Sequence, residues 1–93
     1  MNEQEAKDLL YEHLQQYRRR SYSELATMLD QPLTVELKGP SGITYQVEVQ
    51  AVWDSSRHDN IRVLGSIDDG RWRAFVPLTD SFIVAPSGAF IGE

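Results

Sequence analysis

The sequence predicts a single α+β domain, in which an N-terminal helical segment packs on a curved antiparallel β-meander of four or five strands. Apolar residues recur at helical spacing over residues 1–31, and over residues 33–85 they alternate with polar residues at the period of a strand. Residues 86–93 form a tail. A chain of 93 residues has no room for the core of a second domain.

The first helix is predicted over residues 3–19. Asn2 and Glu5 have the spacing of a helix N-cap and its reciprocal partner. The apolar residues that follow fall within an arc of about 140°, the width expected of a helix that lies on a core. They are Ala6, Leu9, Leu10, Leu14 and Tyr17.

A second helix is predicted after a break near Arg20-Ser21. Ser21 and Glu24 supply a new capping box, and the helical spacing of apolar residues restarts at Tyr22. Pro32 ends the helical segment, because a proline disfavours the helical conformation in the residue before it.

The first predicted strand begins at Leu33, and the second runs from Ile43 to Trp53 with one apolar and one polar face. The residues between them, Gly39 to Gly42, have the composition of a turn. Matching the inward faces of the two strands pairs Leu37 with Ile43 and leaves residues 38–42 as the loop.

A third strand is predicted over residues 61–67, followed by Asp69-Gly70 as the two-residue turn of a β-hairpin. Counting outward from this turn pairs Ile67 with Trp72 and Ile61 with Leu78. Between these ends it pairs Gly65 with Ala74 and Val63 with Val76.

Two short apolar segments close the chain. Residues 82–84 are predicted as a fifth strand, and Phe90-Ile91 either adds a last strand or docks as a tail. The predicted core takes the inward apolar residues of every element: Leu10, Leu14, Tyr17, Leu25, Val35, Leu37, Val47, Val49, Ile61, Val63, Trp72 and Val76.

Composition excludes several classes of function. The chain has no cysteine, which rules out disulfides, thiol catalysis and thiolate metal sites. Its net charge of −5 opposes non-specific binding to nucleic acids or membranes, which needs a basic surface. No apolar stretch approaches the ~20 residues that span a bilayer, and the N-terminus lacks a signal-peptide pattern. We therefore expect a cytoplasmic protein with neither a membrane nor a nucleic acid as its partner.

The histidines give no catalytic or metal signature. His13 lies within the apolar arc of the first helix without an orienting carboxylate, so we expect a packed or rim position. His58 shares a loop with Asp54 and Asp59, but one loop with mixed ligands lacks the spacing of a metal site. We expect no metal and no cofactor, and a small hydrolase or metal-dependent enzyme around His58 and Asp54 ranks last among the functions.

Three consecutive arginines, Arg18, Arg19 and Arg20, form the one basic cluster of the sequence. They could contact an anionic partner. They are also well suited to the C-terminal end of the first helix, where cations complement the helix dipole and cap free carbonyls. The second interpretation is preferred.

The segment from Val35 to Lys38, together with Tyr45, Asp54 and Asn60-Ile61, resembles the first motif of the Sm-like family. That fold also places a helix before five bent antiparallel strands. The resemblance covers a minority of the chain, and Val47 stands about where the family has a strand-bending glycine. It implies an RNA-binding domain, which is the second functional hypothesis.

The leading hypothesis comes from the outer face of the third and fourth predicted strands. There Leu64 should lie opposite Phe75, flanked by Arg62 and Arg73. An exposed aliphatic–aromatic pair rimmed by arginines has the composition of a protein contact site. Alternatively the sheet curls over the pair, or Phe90-Ile91 covers it. We therefore predict a non-catalytic module that binds another protein or associates with itself, plausibly as a homo-oligomer.

Overall fold

The structure, a computed structural model, describes residues 2–70 and 77–93. Two helices precede four strands: α1 (Glu3–Arg18), α2 (Tyr22–Ala26), β1 (Leu33–Lys38), β2 (Thr44–Trp53), β3 (Ile61–Asp68) and β4 (Leu78–Val84). The strands form one antiparallel sheet in the order β1-β2-β3-β4. The predicted α+β class, with an N-terminal helix on an antiparallel sheet, is confirmed. Within the described ranges, neither helix has the length and apolar character required to cross a membrane.

Both helices begin at the predicted caps. The side chain of Asn2 accepts a hydrogen bond from the backbone N–H of Glu5 at 3.0 Å. Ser21 and Glu24 form a complete capping box, in which each side chain accepts a hydrogen bond from the other residue's backbone N–H. The predicted break between the helices follows, since α1 ends at Arg18 and the new cap starts α2.

Helix α1 packs on β3 and β4, and Gly65 permits its close approach. A Cβ atom at Gly65 would lie 2.9 Å from Cδ1 of Leu10 and 3.0 Å from Cδ2 of Leu14. Carbon atoms without a bond between them optimally lie about 3.5–4.0 Å apart, so any other residue here would require the Leu10 and Leu14 side chains to move. The close packing of these two side chains on β3 therefore depends on this glycine.

One carboxylate ties the start of α1 to the loop between β1 and β2. Glu5 accepts hydrogen bonds from the Ser41 N–H at 2.9 Å, from the Ser41 hydroxyl at 2.6 Å and from the Tyr45 hydroxyl at 2.8 Å. The hydrogen bonds from Ser41 lower the pKa of Glu5 below its usual value. Burial, with the neighbouring Glu5, raises the pKa of Tyr45 to about 12.

The predicted register of the first hairpin is wrong by two residues. Leu37 lies opposite Tyr45 rather than Ile43. Side chains two residues apart on a strand share a face, so the shift leaves the apolar face of each strand unchanged. The faces were therefore predicted correctly although the partner was not.

The predicted register of the second hairpin is also wrong. Ile67 lies opposite Leu78, and Ile61 lies opposite Val84. Asp69-Gly70 is therefore not a two-residue hairpin turn, although Asp68 does accept a local hydrogen bond from the Gly70 N–H at 2.7 Å. The predicted partners Trp72, Ala74 and Val76 lie outside the described residues.

Pairing β3 with residues 78–84 has a clear physical advantage, because it places Phe82 and Val84 in the core. The segment predicted as a separate fifth strand is the end of β4. Beyond it, the tail returns to β4 through a bridge between Val84 and Phe90 and a hydrogen bond from the Ile91 N–H to the Ile83 carbonyl at 2.9 Å.

The predicted core is confirmed in the helices, β2 and β3, where the following are buried: Leu10, Leu14, Tyr17, Leu25, Val47, Val49, Ile61 and Val63. The prediction is wrong for β1. Val35 is 38% exposed and Leu37 is only half-buried. The helices pack mainly on β3 and β4, which leaves the inward row of β1 beyond their cover. Trp72 and Val76 are again outside the described ranges.

We expect Gly65→Val to destabilise the fold by about 1–3 kcal/mol, because the added side chain meets Leu10 and Leu14. The matched control is Ser66→Val, whose side chain points to the outer face and which should change stability by less than about 0.5 kcal/mol. Urea unfolding of both variants measures the difference. Equal stabilities would contradict the tight contact assigned to Gly65.

Candidate interaction surface

Only Arg62 and Leu64 of the outer-face site predicted from the sequence lie within the described residues. Leu64 is half-buried and lies between Gln50 of β2 and Ser81 of β4. The predicted pairing of Leu64 with Phe75 is therefore wrong, because β3 pairs with a later segment of the chain. Arg73 and Phe75 themselves lie outside the described residues.

Arg62, the remaining member of that site, is engaged within the chain. Its Nε donates to Oδ1 of Asp54 at 3.0 Å, and its Nη2 lies 2.9 Å from the same oxygen. Nη1 donates a longer hydrogen bond of 3.4 Å to the Ser81 hydroxyl. The Asp54 carboxylate balances this charge, so Arg62 has less to offer a partner than an unpaired arginine would.

The loop with His58 does not form a metal site. Asp54 is held by Arg62, and the His58 ring lies beside Trp53 with centroids 5.5 Å apart. The Asp59 carbonyl accepts a hydrogen bond from the Tyr22 hydroxyl at 2.6 Å. Within residues 2–70 and 77–93, no three His, Asp or Glu side chains group closely enough to hold a metal ion.

His13 occupies the rim position that the sequence predicts. It is half-buried, its ring stands edge-on to Tyr17 with centroids 5.6 Å apart, and its Nδ1 lies 3.0 Å from Nε2 of Gln16. Burial lowers the pKa of His13. Its contacts are those of a packed side chain.

The three arginines of the cluster do not share one contact. Arg18 donates two hydrogen bonds to Glu93, at 2.8 and 2.7 Å. The Arg20 guanidinium lies 4.6 Å from the centroid of the Tyr17 ring. Arg19 is the exposed member of the three. The cluster therefore does not present one continuous cationic patch, because Arg18 and Arg20 make intramolecular contacts and only Arg19 is exposed.

Arg18 also fixes the C-terminal tail. Its guanidinium lies over two rings, 4.9 Å from the centroid of Phe82 and 5.0 Å from that of Phe90. The two rings pack edge-to-face with centroids 5.8 Å apart. Phe82 belongs to the inward face of the sheet, so Phe90 docks on the helical side and does not provide the predicted cover for Leu64.

An open groove of about 350 Å³ lies between α1 and the start of β4. Its wall includes Tyr11, Asp8, Lys7 and Asp80. These side chains supply an aromatic ring, two carboxylates and an ammonium group, but the lining among the described residues includes neither a histidine nor a serine. We do not base a function on this groove.

The edge strand β1 carries two exposed apolar side chains on one face. Leu33 is 46% exposed and Val35 is 38% exposed, and both lie on the same face as Leu37. β1 pairs with β2 on one side, and none of the strands in the described ranges flanks its other side. The alternating pattern predicted which face these residues share, but it carries no information on whether that face is covered.

The backbone N–H and C=O groups of successive β1 residues point alternately toward β2 and away from the sheet. The Gly39 N–H donates to the Ile43 carbonyl at 2.8 Å, which fixes the phase of the ladder. Because bonded and non-bonded pairs alternate in an antiparallel ladder, Leu33, Val35 and Leu37 bond to β2. The backbone groups that point away from the sheet are those of Thr34, Glu36 and Lys38.

Comparisons of the chain with protein-family models, with curated proteins and with solved structures found no match.

We expect Glu5→Gln to weaken the acid sensitivity of the fold. The folded-state pKa of Glu5 is lowered, so the unfolded chain takes up the proton first as the pH falls. The stability that this carboxylate contributes is present above the usual carboxyl pKa of 4.5 and is lost as the pH falls through the folded value.

Thermal unfolding followed by circular dichroism across the acidic range measures this effect. The wild-type chain should lose stability more steeply below pH 4.5 than Glu5→Gln. Glu12→Gln, an exposed position on the same helix, is the control and should keep the wild-type slope. Identical slopes for all three chains would contradict the role assigned to Glu5.

Proposed function

We propose that this chain is a non-catalytic protein-interaction module that binds another protein, or a second copy of itself, at the β1 edge of its sheet. One observation carries the proposal. Leu33 and Val35 are exposed apolar side chains on an edge strand whose outward backbone groups have no partner among the described residues. The proposal moves the contact surface from the outer face, where the sequence placed it, to the β1 edge.

Strand addition suits this edge physically. In such complexes the main-chain hydrogen bonds give affinity, and the alternating side chains give specificity. Folded proteins usually protect an exposed edge with a bulge, a proline or charged side chains. β1 pairs with β2 over its whole length without a bulge, and it has charges only on its outer face, at Glu36 and Lys38. Its apolar row is left open.

The other hypotheses have less support. RNA binding through a Sm-like barrel calls for a basic surface, whereas the chain has a net charge of −5 and its arginine cluster is divided among intramolecular contacts. A metal-dependent or hydrolytic site needs groups that converge, and the Asp54–His58 loop does not bring them together. A cytoplasmic location fits a chain without cysteine, because disulfides are rare in the reducing cytosol.

We expect the double variant Leu33→Ser/Val35→Ser to lose association while keeping the wild-type fold, because both side chains are already exposed. Sedimentation velocity over a concentration series measures self-association, and circular dichroism measures the fold. Binding to other chains is measured with extended peptides selected from a random library against the wild-type protein.

Leu64→Ser is the matched control, since it removes the same kind of side chain from the outer face and should leave both kinds of binding unchanged. If the double variant associates and binds the selected peptides like wild type, the β1 edge is not the binding surface. Absence of both kinds of binding in the wild-type chain would refute the interaction module itself.

A further inference from the structure

We infer that the partner of β1 is β1 of a second copy of this chain, paired antiparallel about a two-fold axis at Val35. The inference rests on the proposed function and names both the partner and the register. It follows from the phase of the β1 ladder, from the exposed apolar row and from the charges on the strand.

The phase of the ladder limits which residues can face one another. The outward backbone groups belong to Thr34, Glu36 and Lys38, so a second β1 must present the same residues. Even-numbered residues then face even-numbered residues. The apolar row of one copy consequently meets the apolar row of the other on the same face of the combined sheet.

The apolar side chains favour the register centred on Val35. In that register Val35 faces its own copy, and Leu33 of each chain faces Leu37 of the other. Leu33 is the more exposed of the two open positions, at 46%. A register centred on Leu37 would bring Glu36 opposite Lys38, which is favourable. It would, however, overlap the two strands only over residues 36–38 and leave Leu33 opposite the loop residue Ser41, without an apolar neighbour.

Charge and strand overlap oppose the remaining registers. A register centred on Glu36 places two carboxylates directly opposite each other, which is destabilising. A register centred on Thr34 overlaps the two strands only over residues 33–35, whereas the Val35-centred register overlaps them over residues 33–37 and leaves Pro32, which has no N–H to donate, just beyond the overlap opposite Lys38. In the Val35-centred register, Glu36 faces the neutral Thr34 of the second copy.

The charge of the strand itself permits two acidic chains to meet here. The whole chain has a net charge of −5, but β1 carries one acidic and one basic residue, Glu36 and Lys38. The contact between the two copies is therefore locally neutral. Because β1 has only 6 residues, the interface falls in the weak class that buries less than ~1,200 Å². We expect a dimer that forms only at high protein concentration.

Single cysteines test the register directly, because the chain has none of its own. In a non-hydrogen-bonded antiparallel pair the Cα atoms lie about 4.5 Å apart, which suits a disulfide. In the Val35-centred register, Val35→Cys forms such a pair with its own copy. Leu37→Cys places the two sulfurs four residues out of register, roughly 13 Å apart along the strands.

The experiment compares the rates at which disulfide-linked dimers form in a glutathione redox buffer, read on non-reducing gels. Val35→Cys should link at least about tenfold faster than Leu37→Cys, because a link at residue 37 requires the weaker register. Leu64→Cys, on the outer face, gives the rate of random collision. Adding Glu36→Pro to Val35→Cys removes an outward donor without touching the β2 ladder, and should bring linkage down to the collision rate.

Each other outcome overturns the inference in a distinct way. Faster linkage of Leu37→Cys than of Val35→Cys would keep the second copy but refute the register. If Val35→Cys and Leu37→Cys both link only at the rate of Leu64→Cys, the partner of β1 is not a second copy of this chain. If the selected peptides still bind and still require Leu33 and Val35, the edge serves a different chain and the proposed function stands. If they do not bind, the proposed function fails as well.

Discussion

The packing of α1 on β3 is the constraint on which the core and the exposed apolar surface both depend. Gly65 lets Leu10 and Leu14 approach the sheet backbone where α1 packs over β3 and β4. One helix of this width cannot also cover β1 on the far side of β2. The tight packing on one half of the sheet and the exposed apolar row on the other half therefore have the same origin.

Local chemistry made a large part of the fold predictable from the sequence. The caps at Asn2 and Ser21, and the alternating faces of β2 and β3, depend on residues close together in the chain. The pairing of β3 with β4 does not. Asp69-Gly70 has the local signature of a hairpin turn, but burial of Phe82 and Val84 beneath the helices selects a later segment. Local turn propensity is weak compared with the burial of a large apolar side chain.

The candidate surface was harder to predict than the fold. The sequence identifies the face that Leu33 and Val35 share. Their exposure depends on which strands α1 packs against, and that is determined by the tertiary structure. The same holds for Arg18, whose partner Glu93 lies 75 residues away in the chain. A run of arginines resembles an anion-binding site until the structure shows the contacts that each one makes.

The docked tail limits how large an assembly of this sheet can become. A sheet with two open edges is a template for unlimited growth, because every added copy offers a fresh edge. Here Phe90 and Ile91 lie against the Ile83–Val84 end of β4. Asp80 places a carboxylate on the inward row of the same strand, a feature that discourages edge-to-edge pairing. In the proposed dimer, the docked tail and Asp80 would both oppose the addition of further copies at β4.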